Sequence, residues 1–121
     1  MKAPPVEQLM AIPETELARV RRWCEARIPP QHRDQLRIEF EQRGNALTIL
    51  ECRPPWRADL GPAWTRHNIA RLRYNASKGI WNLSWRDRNL RFHRYEHCPS
   101  SAQVADLLAE IDRDPAGIFW G

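Results

Sequence analysis

Alternation of side chains over residues 69–95 constrains this chain more than any other feature. Three short runs are separated by turn-like breaks at Asn75 to Gly79 and at Arg86 to Asn89. A period of two, bounded by Gly, Asn, Asp and Ser, belongs to antiparallel strands; a helix would return its apolar residues every three or four positions. Ala70, Leu72 and Tyr74 share one face of the first run, Trp81, Leu83 and Trp85 one face of the second, and Leu90 and Phe92 one face of the third. Arg71 and Arg73, then Asn82 and Ser84, then Arg91, His93 and Tyr95 fall opposite. The stretch specifies a meander with one aromatic face and one arginine-rich face, and it specifies no reaction.

The flanks complete the fold. Leu17, Val20, Cys24 and Ile28 repeat at helical spacing, with Glu14 and Glu16 at the start and Pro29-Pro30 at the end. Acidic residues suit the positive end of a helix dipole and proline ends the element, so the spacing predicts a helix from Glu14. Leu36, Ile38 and Phe40 alternate with charged residues, and Arg43-Gly44-Asn45 supplies a turn into a second strand at about 46–53. That strand is apolar on both faces. Leu47 and Ile49 point one way, with Glu51 and Arg53 beside them, and Leu50 and Cys52 point the other. Residues 54–67, with three prolines, a glycine and two tryptophans, form a long irregular segment. After Pro99, Ser100 and Gln103 have capping-box spacing ahead of Val104, Leu107, Leu108 and Ile111, and Asp114-Pro115 and Gly117 stop this second helix. The aromatic tail, Ile118-Phe119-Trp120, is expected to dock on the core. The predicted fold is α+β: a five-stranded antiparallel meander with the N- and C-terminal helices on its aromatic face. Residues 1–13, with three prolines, read as a loosely held arm, and 14–121 as a single domain.

Composition narrows the function classes. The 42% hydrophobic and 28% charged shares exclude wholesale disorder. No run approaches a membrane span, prolines and a glutamate break the N-terminus where a signal peptide needs an apolar stretch, and three widely spaced cysteines fit reduced thiols. A cytoplasmic location and no membrane partner are expected. The formal charge is +4, and 17 of the 19 basic residues are arginine. Arginine grips phosphate and carboxylate in a bidentate fork, so its excess suits an anionic partner, although codon bias or solubility alone would produce the same ratio.

Glu51-Cys52-Arg53-Pro54 with Trp56, Ala70-Arg71-Leu72-Arg73-Tyr74, Trp81-Asn82-Leu83-Ser84-Trp85-Arg86, Phe92-His93-Arg94-Tyr95 and Gly117-Ile118-Phe119-Trp120-Gly121 together resemble a small bacterial family known only as a domain of unknown function. The resemblance runs over nearly the whole chain from about Glu14. It implies a small α+β domain and no activity, cofactor or catalytic residue.

The leading expectation is a binding module, an enzyme being the less favoured reading, with Arg71, Arg73, Arg91, His93 and Tyr95 gathered on one sheet face and Arg53 and Glu51 joining them. Arginine interleaved with Tyr and His suits phosphate contact and base stacking, so nucleic acid or another polyanion is the expected partner. The bland reading of the same face is solvated arginines paired with Glu39, Glu41 and Glu51. A homodimer or protein-interaction domain is the alternative, with Leu47 and Ile49 exposed among the arginines. An Mg²⁺-dependent nuclease built on Asp34, Glu51 and Arg53 trails, because arginine stands where a lysine is wanted and Asp34 precedes its strand. His93, His97 and Cys98 lie too far apart along a strand for one metal, and Cys24, Cys52 and Cys98 show no positioned base, so no cofactor, metal or catalytic residue is expected.

Overall fold

The computed structural model describes residues 11–57, 59 and 61–120. The elements run α1 (Glu14–Arg27), a 3-10 turn (Pro30–His32), β1 (Arg37–Arg43), β2 (Ala46–Arg53), β3 (Thr65–Asn75), β4 (Ile80–Arg86), β5 (Phe92–Arg94) and α2 (Val104–Arg113). Consecutive strands pair antiparallel, in the order β1-β2-β3-β4-β5. The α+β meander is therefore the one the alternation predicts. β3 begins earlier than expected, at Thr65, which shortens the irregular segment to 54–64. Residues 1–10 of the predicted arm lie outside the described residues; Ile12 is buried in the core, and the Pro13 carbonyl accepts the amides of Glu16 and Leu17 at the start of α1.

One apolar core lies between the helices and a single sheet face. Leu17, Val20 and Cys24 of α1 and Val104, Leu107, Leu108 and Ile111 of α2 pack with Ile38, Leu47, Ile49, Ala70, Leu72, Trp81 and Leu83. Burying side chains of this size stabilises by about 1.5–3 kcal/mol each, which outweighs the weak intrinsic preference of short helices.

A bulge adjusts which side chains enter that core. Ile49 pairs with Ala70, but Leu50 pairs with Asn68, leaving Ile69 as the extra residue on β3. Ile69 and Ala70 can then both join the helix-side cluster, while Asn68 and Arg66 turn to the opposite face alongside Leu50 and Cys52. Leu47 and Ile49 are fully buried, so the expectation that they stand exposed among the arginines is corrected. Two helices lie over them.

The helices brace each other through polar contacts. Trp23 Nε1 and Arg27 Nη1 donate to the two carboxylate oxygens of Asp112 at 3.0 and 2.7 Å. The expected Ser100–Gln103 capping box does not form. The Val104 amide at the start of α2 donates instead to Glu16 Oε2, 2.7 Å away on α1, and Ser100 bonds to Asn82 and Arg94. A capping carboxylate from the neighbouring helix satisfies the same orphan donor that a local side chain would.

Candidate functional site

On the face away from the helices the cross-strand register arranges polar side chains in rows. One row runs Glu41, Thr48, Arg71, Ser84, Arg94 across all five strands, roughly 19 Å at about 4.8 Å per strand. The next runs Arg43, Ala46, Arg73, Asn82. Beyond the bulge, Arg37 and Arg66 flank Cys52. Part of the bland reading holds here, since Arg66 pairs with Glu41.

Arg71 sits at the centre of this face. Its Nε donates to Thr48 Oγ1 at 3.3 Å and its guanidinium lies 4.0 Å from the centroid of the Phe92 ring. Partial burial lowers its pKa, and the neighbouring charges of Arg73 and Arg43 lower it further. Among the described residues no carboxylate forms an ion pair with Arg43, Arg71 or Arg73. Arg43, Arg71, Thr48, Asn68 and Glu41 line a polar depression of about 240 Å³. Three like charges gathered here repel one another while the neighbouring Glu41 is engaged by Arg66, and an incoming anion relieves that repulsion.

Of the seven residues expected to share this face, the structure places Arg71 and Arg73 there. Glu51 and Arg53 follow Leu47 and Ile49 onto the helix side of β2, and they pair with each other at 2.7 Å. The parity of β5 is the reverse of the expected one. Trp85 pairs with His93 and Ser84 with Arg94, so Phe92 and Arg94 face the arginines while His93 and Tyr95 turn to the helix side. Tyr95 is buried against Phe119, its hydroxyl having no hydrogen-bond partner among the described residues. Arg91 is exposed in the turn before β5.

The turn explains the reversal. Asp87 Oδ1 accepts the amides of Asn89 and Arg91 at 2.8 and 3.0 Å, and Leu90 adopts a left-handed φ of 67°. This side-chain-bonded turn extends past the expected break at Asn89, and a strand entered one residue out of step presents every side chain to the other face. Thr48, Asn68, Arg43, Phe92 and Arg94 were all missed as site residues. Asp87 followed by Asn89 was the available signal for the longer turn.

A family model described as a domain of unknown function, DUF3024, matches residues 8–121 of the chain. The chain belongs to that family. No curated protein and no solved structure matches it. Membership in DUF3024 carries no activity with it, so the chemistry has to be read from the side chains themselves.

Neither the nuclease nor the cysteine arrangement gains support from those side chains. Glu51 is engaged by Arg53 on the helix side, and Asp34 lies in the turn ahead of β1. Burial pushes the Cys24 thiol up to about 12. Burial raises Cys52 and Cys98 as well, helped by Glu39 and Glu110 respectively, so all three stay protonated at neutral pH. His93 bonds to Asp87 and His97 packs edge-on against Tyr95.

Asp87 is expected to make the β4–β5 turn of this DUF3024 fold pH-sensitive. Its carboxyl is held below the ordinary value of 3.8, chiefly by the hydrogen bond from His93 and then by the Arg91 amide. A depressed native pKa contributes stability that is fully present above the unfolded value and is lost as pH falls through the native one. The unfolding free energies of wild type and Asp87→Asn are therefore expected to differ at neutral pH and to converge under acid, below 3.8. Denaturant titrations at a series of pH values check this, and a difference that persists unchanged in acid would refute it.

Proposed function

We propose that the chain is a non-enzymatic binding protein that holds nucleic acid or another phosphate-bearing ligand on the arginine face of its sheet. The observation that carries this reading is the Arg43–Arg71–Arg73 cluster. Its central guanidinium is fixed by Thr48 and Phe92, its members repel one another, and among the described residues no carboxylate forms an ion pair with them, Glu41 in the same depression being held by Arg66. A guanidinium held in place loses less entropy when it forms a bidentate pair with phosphate, and Thr48 and Asn68 at the rim offer further hydrogen bonds. Phe92, with Arg71 stacked over it, and Trp64, with Arg37 4.1 Å from its ring, give the face aromatic surface as well. The alternative of a homodimer through exposed Leu47 and Ile49 loses its surface, because both are buried.

The test is binding to labelled single-stranded DNA, duplex DNA and RNA at low and moderate salt. Neutralising three to four phosphates predicts affinity that falls by roughly tenfold to a hundredfold between about 50 and 200 mM salt. Weak binding with no salt slope and no preference among the three would sink the proposal.

A further inference from the structure

On the helix side of the edge strand β5 lies a second concavity, outside the arginine depression. It measures about 370 Å³ and is lined by Trp85, His93, Tyr95 and His97, together with Arg94, Glu96, Ala116 and Ile118. Its size falls within the range of about 300–1,000 Å³ typical of small-ligand cavities. The Trp85 and His93 rings lie 5.0 Å apart, tilted by 34°, and Tyr95 and His97 are 5.3 Å apart edge to face. His93 is fixed from the other side by Asp87 Oδ2 at 2.6 Å. The lining is largely aromatic, and His93, His97 and Glu96 add polar atoms to it. Those are the demands of a planar heterocycle with a polar edge.

Arg94 connects this cavity to the arginine face. It lines the cavity, yet it pairs with Ser84 at the end of the row that contains Arg71, and its Nη2 is held by Asn82 and Ser100 at 3.2 Å each. β5 is three residues long and, among the described residues, pairs only with β4, so the sheet ends between the two sites. A flexible phosphodiester chain lying along the arginines can turn over this edge.

Resting on the reading proposed above, we infer that the ligand is a single-stranded nucleic acid, and that the Trp85/His93 cavity receives one of its unstacked bases. A duplex would keep its bases paired and stacked and could not fill the cavity while its backbone met Arg71. Stacking of a base on an aromatic platform is sequence-tolerant, so this site selects strandedness more than sequence.

The experiment compares two labelled oligomers of about twelve units: oligothymidylate, and the abasic sugar-phosphate chain of the same length. Both carry the same phosphates, and only the first has bases. Wild type is expected to bind oligothymidylate on the order of tenfold more tightly. The double variant His93→Ala with His97→Ala, both positions being exposed, is expected to bind the two oligomers equally, at the abasic level. Equal binding of the two oligomers by wild type, or a base preference that survives in the double variant, would overturn the cavity as a base site while leaving the arginine face intact. Binding of neither oligomer would overturn the cavity together with the nucleic-acid reading of the arginine face.

Discussion

Replacing Arg71 and Arg73 together by glutamate is expected to lower affinity for a polyanion by at least a hundredfold without unfolding the protein. Hydrogen bonds to charged groups contribute about 1.5–3 kcal/mol each. Losing two of them and placing two carboxylates against the ligand removes more than about 3 kcal/mol, at about 1.4 kcal/mol for each tenfold. The fold has less at stake. Arg73 is exposed, and its side chain makes no ion pair or hydrogen bond among the described residues. Arg71 loses its Thr48 bond and its place over Phe92, each worth about 1 kcal/mol, but the repulsion from Arg43 and Arg73 that lowers its pKa disappears too. The control is Arg21→Glu with Arg22→Glu on the exposed side of α1, which changes net charge equally and lies away from the sheet face. Fluorescence anisotropy at about 50 mM salt reads affinity where electrostatics are least screened, and circular dichroism reads folding. Equal losses in the two double variants would mean that net charge, not this face, holds the ligand.

What the sequence made legible follows the range of the interactions involved. Helical spacing over 14–28 and two-residue alternation over 46–53 and 69–86 are local, and those elements formed on the predicted stretches, with β3 extending back to Thr65. Arg71 and Arg73 stayed on the exposed face because β3 and β4 alternate without interruption between Ala70 and Trp85. The errors arose where one residue was inserted or where a partner came from far along the chain. The Ile69 bulge moved Asn68 and Arg66 onto the site face, and the Asp87 turn exchanged Phe92 and Arg94 for His93 and Tyr95. The cap of α2 comes from Glu16, 88 positions away, and no local pattern announces it. Thr48 supports Arg71 across a strand pair, which only the register reveals. Faces are readable from alternation as long as the count of residues between turns is right, so a side-chain-bonded turn such as the one at Asp87 changes the predicted site more than it changes the predicted fold.

The largest stability effect outside the core is expected at Asp114. This residue follows α2 in a left-handed conformation, φ 41°, and its carboxylate gathers the C-terminal tail. Oδ1 accepts the amides of Ile118 and Phe119 at 2.9 and 3.1 Å, and Oδ2 accepts that of Trp120 at 2.9 Å. Held in this way, Phe119 enters the core against Tyr95. Trp120 donates its indole N–H to the Ile111 carbonyl and lies under the Arg27 guanidinium, 4.3 Å from it. Asp114→Ala leaves three part-buried amides without their acceptor, at about 1–3 kcal/mol for each that stays dry, and adds about 1 kcal/mol for alanine in a left-handed backbone. The sum cannot exceed what tail docking contributes as a whole. That is chiefly the burial of Phe119 and the shielding of Trp120, so the net loss is expected to be about 3–4 kcal/mol. Asp114→Asn keeps one carbonyl acceptor and the tolerance for positive φ, and is expected to lose about half as much. Urea unfolding followed by tryptophan fluorescence measures both, and it also tests the order of events. If the tail is docked by its aromatics alone, Asp114→Ala will unfold at the wild-type midpoint. If the carboxylate organises it, the midpoint falls, and Trp120 becomes solvent-exposed before the sheet unfolds.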